Sequence, residues 1–354
     1  MKIGSINLAP AFGLAPMAGM TDTAFRRLVK RRGGCGLVVT EMVSSEGLVR
    51  GIDRTLEYAE YTEEERPVSI QIFGGEPEKM AAAARIVEAM GADIVDVNMG
   101  CPVAKIAKHN AGCSLMREPE HAQAIVTAMA RAVRIPVTVK MRAGWDHTEI
   151  NAPELARRME DAGAAALTVH GRTAAQSYSG VSDWALIDRV ASTVGIPVFG
   201  SGDCVEPSQL VEKMMGSRVA GVLVGRGALR NPWIFAQAAA LARGEAPREV
   251  TLEERGRFLL DYIDLLLQER TGEAAGFRHV APGVTDGAGR GAEAVVARGH
   301  DRWVINKLRA LNSWYTKGLD NGSHLRVSVN AAESIPHLRE IITEFFSVQP
   351  VVVG

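Results

Sequence analysis

A cysteine follows a buried apolar run at the start of a long polar loop. The run DIVDVNMG (93–100) contains Asn98 near its end, and Cys101 comes directly after it, ahead of a loop that carries Lys105 and further polar residues. A polar loop of this length is costly to order, so we expect it to contact a substrate. Free cysteines are commonly buried and structural, but the polar neighbours of Cys101 favour a chemical role, either as an acid or base or as a nucleophile.

Cationic side chains end the next two apolar runs. Lys140 and Arg142 close PVTVKMRAG, and His170 and Arg172 close ALTVHGRT. Cations at two neighbouring strand ends suit an anionic ring or a phosphate, which they can bind through charge-assisted hydrogen bonds. A lone histidine is more often a satisfied core residue, but beside Lys140 and Arg172 His170 indicates a site.

Two glycine-rich turns close the last apolar runs. PVFGSGD ends in Ser201, Gly202 and Asp203, and GVLVGRG contains Gly225 and Arg226. Glycines let backbone N–H groups approach a ligand, and a helix that follows each turn favours an anion at its amino terminus. The pair of turns therefore predicts a binding site for a phosphorylated cofactor.

Eight apolar runs, each followed by an amphipathic helical segment, must position these residues. Near-continuous apolar character marks strands buried on both faces, as in a parallel sheet, and eight such units predict a (β/α)8 TIM barrel. A doubly wound open sheet is the alternative, but it usually has fewer strands. The runs are 13–19, 36–42, 68–74, 93–100, 136–144, 166–173, 197–203 and 221–227.

The carboxyl ends of barrel strands open on one face, where these enzymes work. Polar or glycine-rich tips at all eight strand ends, such as Met17-Ala18-Gly19 and Gln71, are therefore expected to surround one cavity. The pattern predicts a site without specifying its chemistry.

The strand pattern stops after residue 240. We predict a catalytic domain over 1–240 and a small helical domain over 241–354, interrupted by a flexible Gly- and Ala-rich insertion at about 273–300. Within 302–326 basic residues such as Arg309 interleave with aromatic ones, a mixture that suits phosphate and base-stacking contacts and equally suits a helix with a buried aromatic face.

Bulk composition limits the function classes. The formal net charge of −1 gives no general sign of a nucleic-acid binder, so any RNA site must come from local clusters. Four cysteines without metal-binding spacing exclude a disulfide framework and favour a reducing cytoplasm. No apolar stretch approaches the ~20 residues of a membrane span, and the amino terminus lacks a signal-peptide pattern. We expect a cytoplasmic monomer with no membrane segment and no metal.

Seven stretches together resemble the tRNA-dihydrouridine synthase family of bacteria. The resemblance runs from residue 5 to about 270 and resumes at NKLRALNSWYTKGL (306–319). Two of the motifs, the cysteine loop and VHGRTAAQSYSG, are not shared by barrel flavoproteins at large. The matching stretches are LAPMAGMTDTAFR, QIFG, DVNMGCPVAKIAKHNAGCSLM, VKMRAGW, VHGRTAAQSYSG, GSGD and GVLVGRGALRNPWIF.

The resemblance implies a barrel that binds FMN, is reduced by NADPH and acts on tRNA held by the helical domain. In the family, hydride passes from the flavin to C6 of a uridine and a loop cysteine protonates C5, a role that falls on Cys101 here. Asn98, Arg172, Lys105 and Arg309 are predicted to contact the substrate. The predicted FMN-binding residues are Pro16, Met17, Ala18, Gln71, Lys140, His170, Ser201, Gly202, Asp203, Gly225 and Arg226.

Three departures from the family bear on these expectations. Ser201 stands where the family usually has Asn, Leu311 replaces a common basic residue, and 274–300 does not match. These changes affect tRNA docking more than flavin chemistry. Two other functions remain open: an FMN-dependent reductase of free pyrimidines or enones, and a tRNA-binding factor that has lost redox chemistry.

Overall fold

Eight parallel strands close into a barrel in the computed structural model, which describes residues 1–103, 106, 110–269, 273–274, 276–282 and 297–347. Each strand pairs with the next along the chain, and the last pairs with the first through Leu223 and Gly13. This closure confirms the predicted (β/α)8 barrel and excludes the open sheet. The strands are β1 (Phe12–Leu14), β2 (Leu37–Val39), β3 (Val68–Phe73), β4 (Ile94–Met99), β5 (Val137–Arg142), β6 (Ala166–His170), β7 (Val198–Ser201) and β8 (Gly221–Val224).

The strands form where β-branched and other apolar residues run almost without interruption. Val95 and Val97 of β4 are fully buried and pack outward against helices, while the alternate residues Asp96 and Asn98 face the barrel interior. Side chains alternate across a strand, so the same strand supplies both the apolar core and the polar site. A short extra strand, Val43–Ser44, pairs with the end of β3.

Helices surround the barrel and follow each strand. Several begin at residues suited to a helix start: Asp22 accepts a hydrogen bond from the Phe25 N–H, and Asp183 does so from Leu186. No helix in the described part of the chain has the length and apolar character needed to cross a bilayer. The barrel helices are α1 (Thr23–Arg32), α2 (Ser45–Val49), α3 (Asp53–Ala59), α4 (Pro77–Ala89), α5 (Pro119–Ala132), α6 (Ala152–Asp161), α7 (Trp184–Ala191), α8 (Pro207–Met215), α9 (Arg226–Arg230) and α10 (Ile234–Ala242).

The helical region expected beyond residue 240 is present. It packs on α1 through an aromatic cluster in which Phe258 lies 5.6 Å from Tyr315 and 6.1 Å from Phe25, measured between ring centroids. The apolar core of the barrel continues into this region without a break. The helices are α11 (Leu252–Leu267), α12 (Ala297–Tyr315), α13 (Gly322–Ala331) and α14 (Ile335–Phe346).

Part of the segment expected to form a loose insertion packs against the barrel. Arg278–His279 pairs antiparallel with Tyr61–Thr62, and the His279 ring stacks on Tyr61 at 4.5 Å. The buried Arg278 guanidinium forms an ion pair with Glu273 at 2.7 Å. Residues 283–296, which are half of the predicted insertion, lie outside the described part of the chain.

Candidate active site

A cavity of about 720 Å³ opens at the carboxyl ends of the strands. Its volume lies within the range of small-molecule and cofactor sites, roughly 300–1,000 Å³. All eight strands contribute to its wall, through residues near their carboxyl ends or in the loops that follow, because parallel barrel strands end on a common face. The predicted site residues that line it are Pro16, Met17, Ala18, Gln71, Asn98, Cys101, Lys140, His170, Ser201, Gly202, Asp203, Gly225 and Arg226.

Cys101 is half-buried at the cavity wall, unlike the three other cysteines, which are buried. The Asn98 Oδ1 atom accepts hydrogen bonds from the backbone N–H groups of Gly100 at 3.2 Å and Cys101 at 2.9 Å. Burial raises the pKa of the Cys101 thiol above its usual value, although nearby Arg142 and Lys140 act against this effect. The side chain therefore carries its proton at neutral pH and can act as an acid.

Lys140 and Arg142 play different parts although they come from the same face of β5. Arg142 is buried and donates to the carbonyls of Gly100 at 2.7 Å and of Thr173 and Ser177 at 2.9 Å each, so it joins the loops after β4 and β6. Lys140 is paired with Asn98 in the sheet, and burial with the nearby Arg142 charge lowers the pKa of its ammonium to about 8. A negative group in the cavity would favour the charged form of Lys140.

His170 presents a neutral imidazole to the cavity. Burial, followed by the charges of Lys140 and Arg142, lowers the pKa of His170 to about 2. Its Nδ1 atom accepts a hydrogen bond from the Arg172 backbone N–H at 3.2 Å, so the ring proton resides on Nε2. His170 is therefore a neutral hydrogen-bond donor whose Nε2 lies near Gly202.

The turn after β7 is held in a conformation that glycine favours. Gly202 has φ of +122° and Asp203 has φ of +54°. The Asp203 carboxylate accepts from the Ser182 N–H at 2.7 Å and pairs with Arg172 at 2.8 Å. A Cβ atom at Gly202 would lie 2.3 Å from the Ser182 Oγ atom. At Gly202 the turn thus presents backbone without a side chain to the cavity.

Two of the four predicted substrate-binding residues, Arg172 and Arg309, do not line the cavity. Arg172 lies behind it, 3% exposed, and holds Asp203 together with the carbonyls of Ser179 and Gly180. Arg309 donates to the Ala332 carbonyl at 3.0 Å and links α12 to the end of α13. Lys105 lies outside the described residues.

Tyr178 and Trp314 line the cavity mouth, and the sequence alone did not predict this placement. The Arg226 guanidinium lies 4.9 Å from the Tyr178 ring centroid and 5.7 Å from that of Trp314. The Lys317 ammonium lies 3.7 Å from the Trp314 ring centroid. Tyr178 is in the VHGRTAAQSYSG motif and Trp314 is in the mixed cationic and aromatic segment, but neither pattern shows which side chains reach the barrel.

The lining residues fit a flavin mononucleotide by their chemistry. Ala15, Met17 and Leu223 form an apolar surface for a ring system. The Lys140 ammonium and the His170 Nε2–H line the same cavity and would be donors for the electron-rich edge of such a ring. Arg226 and the glycine turns supply charge and close backbone approach for a phosphate. The α9 helix after Gly225 has only five residues, so the turns and Arg226, rather than a long helix, are the groups that would contact an anion here.

A (β/α)8 barrel with a polar cavity at the carboxyl ends of its strands is the architecture of the TIM-barrel enzymes. Comparison with known proteins identifies the family within this class. The family model "Dihydrouridine synthase (Dus)" matches residues 13–298. A "Probable tRNA-dihydrouridine synthase" of Rickettsia bellii is 37% identical over 349 residues, which cover 98% of both chains. The "tRNA-dihydrouridine synthase B" of Xanthomonas axonopodis pv. citri is 41% identical and covers 75% of this chain and 80% of its own.

Solved structures share the fold at low sequence identity. Morphinone reductase aligns with a TM-score of 0.50 and 14% identity, covering 70% of this chain and 90% of its own. A 2-naphthoyl-CoA reductase aligns with a TM-score of 0.54 and 12% identity, covering 69% and 52%. The chain belongs to the dihydrouridine synthase family, a family of flavin-dependent oxidoreductases, as the sequence motifs predicted.

Proposed function

We propose that this chain is a tRNA-dihydrouridine synthase that reduces a uridine of the tRNA D-loop to 5,6-dihydrouridine, with FMN as its cofactor and NADPH as its reductant. The family membership and the names of the relatives support the reaction class. The observation that carries the proposal for this chain is that Cys101, Lys140 and His170 line one cavity.

Bound FMN would supply the hydride for C6 of the uracil ring. In the proposal Lys140 and His170 hold the ring edge, while Ser201, Gly202 and Arg226 hold the phosphate. Ser201 is buried and paired with His170 in the sheet, so it offers a hydroxyl where the family usually has an amide. One hydrogen-bonding group is thereby exchanged for a shorter one.

Cys101 supplies the proton for C5. Addition of hydride at C6 leaves negative charge on the uracil ring, and preorganised donors stabilise such charge. The thiol is protonated at neutral pH because burial raises its pKa, and its loop is fixed by Asn98 and Arg142. A positioned acid of this kind typically contributes a rate factor of about 10²–10⁴.

The cavity mouth is suited to a nucleotide that leaves its stack. Extrusion of a base costs a few kcal/mol, and stacking on aromatic side chains returns about 1–3 kcal/mol per base. Tyr178 is 61% exposed, and Trp314 comes from the helical region. We infer that Lys105 contacts the RNA, that Arg172 and Arg309 act indirectly through the loops they hold, and that the enzyme works as a cytoplasmic monomer.

Replacement of the cysteine tests the proposed proton donor. Cys101→Ala should retain FMN and its reduction by NADPH but lower dihydrouridine formation in tRNA by at least 100-fold. Cys113→Ala is the matched control, because Cys113 is buried on the same loop and should tolerate a small apolar side chain. Wild-type dihydrouridine formation by Cys101→Ala would show that another group delivers the proton.

Substrate choice separates this function from the two alternatives. Reduced enzyme should be reoxidised by unmodified tRNA and not by free uracil at millimolar concentration. Fast turnover of free uracil would favour a small-molecule reductase. Purified protein that binds tRNA, contains no flavin and gains no activity with added FMN would favour a binding factor.

A further inference from the structure

A chain of buried hydrogen bonds runs from the barrel interior to the cysteine loop. At its lower end the Asp96 carboxylate accepts from Thr138 Oγ1 at 2.5 Å and from Gln71 Nε2 at 2.7 Å. Gln71 Oε1 in turn accepts from Asn98 Nδ2 at 2.7 Å. Asn98 Oδ1 then accepts from the backbone N–H of Cys101 at 2.9 Å.

The three connected side chains are shielded from water. Asp96 is 5% exposed, Gln71 1% and Asn98 8%. In the sheet Asp96 is in register with Gln71 on one side and with Thr138 on the other, so a single layer of the barrel holds the lower end of the chain. Bulk water does not reach such a layer, so each buried donor there is expected to find its acceptor within the protein.

Both ends of this series of hydrogen bonds favour one direction. At the upper end the backbone N–H groups of Gly100 and Cys101 donate to the Asn98 oxygen, and at the lower end the Asp96 carboxylate accepts from the Gln71 amide. An ionised carboxylate only accepts hydrogen bonds, so it selects the amide orientation of Gln71 that points Nε2 downward and Oε1 upward. That oxygen selects the orientation of Asn98 that turns Nδ2 toward Gln71 and Oδ1 toward the cysteine loop. A flip of either amide would set two donors against each other. Burial raises the pKa of Asp96, but Gln71, Thr138 and the Lys140 charge favour its ionised form.

We propose that Asp96 is a positioning residue for Cys101, acting through the ordered amides of Gln71 and Asn98. Asp96 does not line the large cavity, so it does not act on a ligand there directly. Its effect is to make Asn98 an acceptor for the loop, which fixes the backbone that carries the thiol. The proposal rests on the proposed function only for the catalytic meaning of that thiol.

Asp96→Asn is the test variant, since an amide in this place can both donate and accept. The side chain then no longer selects one orientation of Gln71, and the loop loses its fixed acceptor. We expect the pH-independent rate constant for alkylation of the Cys101 thiolate by iodoacetamide to rise at least threefold, because the loop opens. The kcat for dihydrouridine formation should fall at least tenfold, with KM for tRNA within twofold of the wild-type value.

The double variant Asp96→Asn/Asn98→Asp reverses the direction of the hydrogen bonds between these side chains, and each donor still has an acceptor. The carboxylate introduced at position 98 would accept from the loop and from a flipped Gln71, whose Oε1 would accept from the amide introduced at position 96. We expect the thiolate alkylation rate of this variant to return to within twofold of wild type. Because the comparison uses the thiolate rate constant, the effect of the charge at position 98 on the thiolate fraction does not enter it, and only the weaker dependence of thiolate nucleophilicity on the thiol pKa remains.

Thr138→Val is the matched control, because it removes one hydrogen bond to Asp96 from the same layer and leaves the Gln71 bond and the nearby Lys140 charge, which also favour the ionised carboxylate, in place. It should leave the alkylation rate and kcat within twofold of wild type. The proposal is overturned if Asp96→Asn leaves both quantities unchanged, if Thr138→Val changes them equally, or if the double variant unfolds or stays as reactive as the single one. A wild-type protein that forms no dihydrouridine would refute the function, while the alkylation measurements would still decide the positioning role.

Discussion

At the scale of single residues, the cavity combines a neutral imidazole with a protonated thiol and several cations. His170 lies among Lys140, Arg142 and Arg226, whose charges, together with burial, oppose its protonation. Cys101 keeps its proton because burial disfavours the thiolate. Neither side chain therefore changes charge between pH 5 and 7.5, although a free histidine would do so.

The pH dependence of the reaction follows from these charge states. His170 has a pKa of about 2, so it stays neutral and produces no acidic limb near pH 6.5. The reactive forms of Cys101 and Lys140 are both protonated, so the loss of activity lies on the alkaline side. Burial raises the pKa of Cys101, and the pKa of Lys140, which the protein alone lowers to about 8, rises when an anionic cofactor binds beside it. Single-turnover reoxidation of the reduced enzyme by tRNA should thus be flat from pH 5.5 to 8 and decline only at higher pH.

A rate that falls below pH 6.5 in the wild type, and no longer does so in His170→Gln, would contradict the neutral imidazole. His121 provides a comparison outside the cavity. It lies on α5, where its Nε2 contacts the Gly75 carbonyl at 2.6 Å, so His121→Gln should leave the profile unchanged.

At the scale of secondary structure, the strand ends were predictable and the cavity mouth was not. Lys140, His170 and Gly202 each follow an apolar run, and a parallel barrel brings such positions to one face regardless of loop detail. Tyr178 and Trp314 reach the same cavity from a long loop and from another region of the chain. Their placement depends on tertiary packing, such as the contact of Arg226 with both rings, which has no periodic signature in the sequence.

The dependence on tertiary packing also explains why some of the predicted substrate-binding residues do not line the cavity. Arg172 follows a strand whose end was predicted correctly. Its side chain, however, donates to Asp203 and to two carbonyls of its own loop. A sequence pattern locates the Cα atom of such a residue and does not fix the direction of a long, flexible side chain. The predicted roles of the lining residues toward FMN and tRNA remain predictions.

The turn after β7 should tolerate no side chain larger than hydrogen at residue 202. Gly202→Ala combines a φ of +122° with an overlap against Ser182, so we expect a loss of about 1–3 kcal/mol in unfolding free energy and at least tenfold weaker FMN binding. Thermal denaturation and flavin fluorescence titration measure the two effects. Gly195→Ala, at the opposite end of β7, meets only the tip of Glu160 and should change neither quantity greatly. Equal behaviour of the two variants would show that the turn is not constrained as described.

At the scale of the whole molecule, one lysine ties the helical region to a cavity loop. Lys307 of α12 pairs with Asp22 at 2.9 Å and Glu41 at 3.5 Å and donates to the Gly19 carbonyl at 3.2 Å. Asp22 also accepts from the Tyr262 hydroxyl of α11 at 2.7 Å. Burial opposes the charge on Lys307, but the two carboxylates outweigh it and raise its pKa.

Loss of Lys307 should weaken the contact between the helical region and the barrel. Lys307→Met leaves two largely buried carboxylates without their cation, so we expect a loss of about 3 kcal/mol in unfolding free energy and a lower Tm. Glu41→Gln added to Lys307→Met should restore part of it, because burial already raises the pKa of Glu41 and opposes its charge. Arg302→Met, at an exposed position of the same helix, should be nearly neutral. A wild-type Tm for Lys307→Met would show that the ion pairs of Lys307 contribute little to stability.

The position of Trp314 in the sequence has a consequence for the order in which the residues of the cavity mouth are synthesised. Trp314 and Lys307 lie near the carboxyl end of the chain, whereas Cys101 and Lys140 are made much earlier. Translation adds roughly 5–20 residues per second, and domains fold from the amino terminus onward. The residues at the strand ends of the barrel are therefore synthesised well before Trp314, and this side of the cavity mouth is added last.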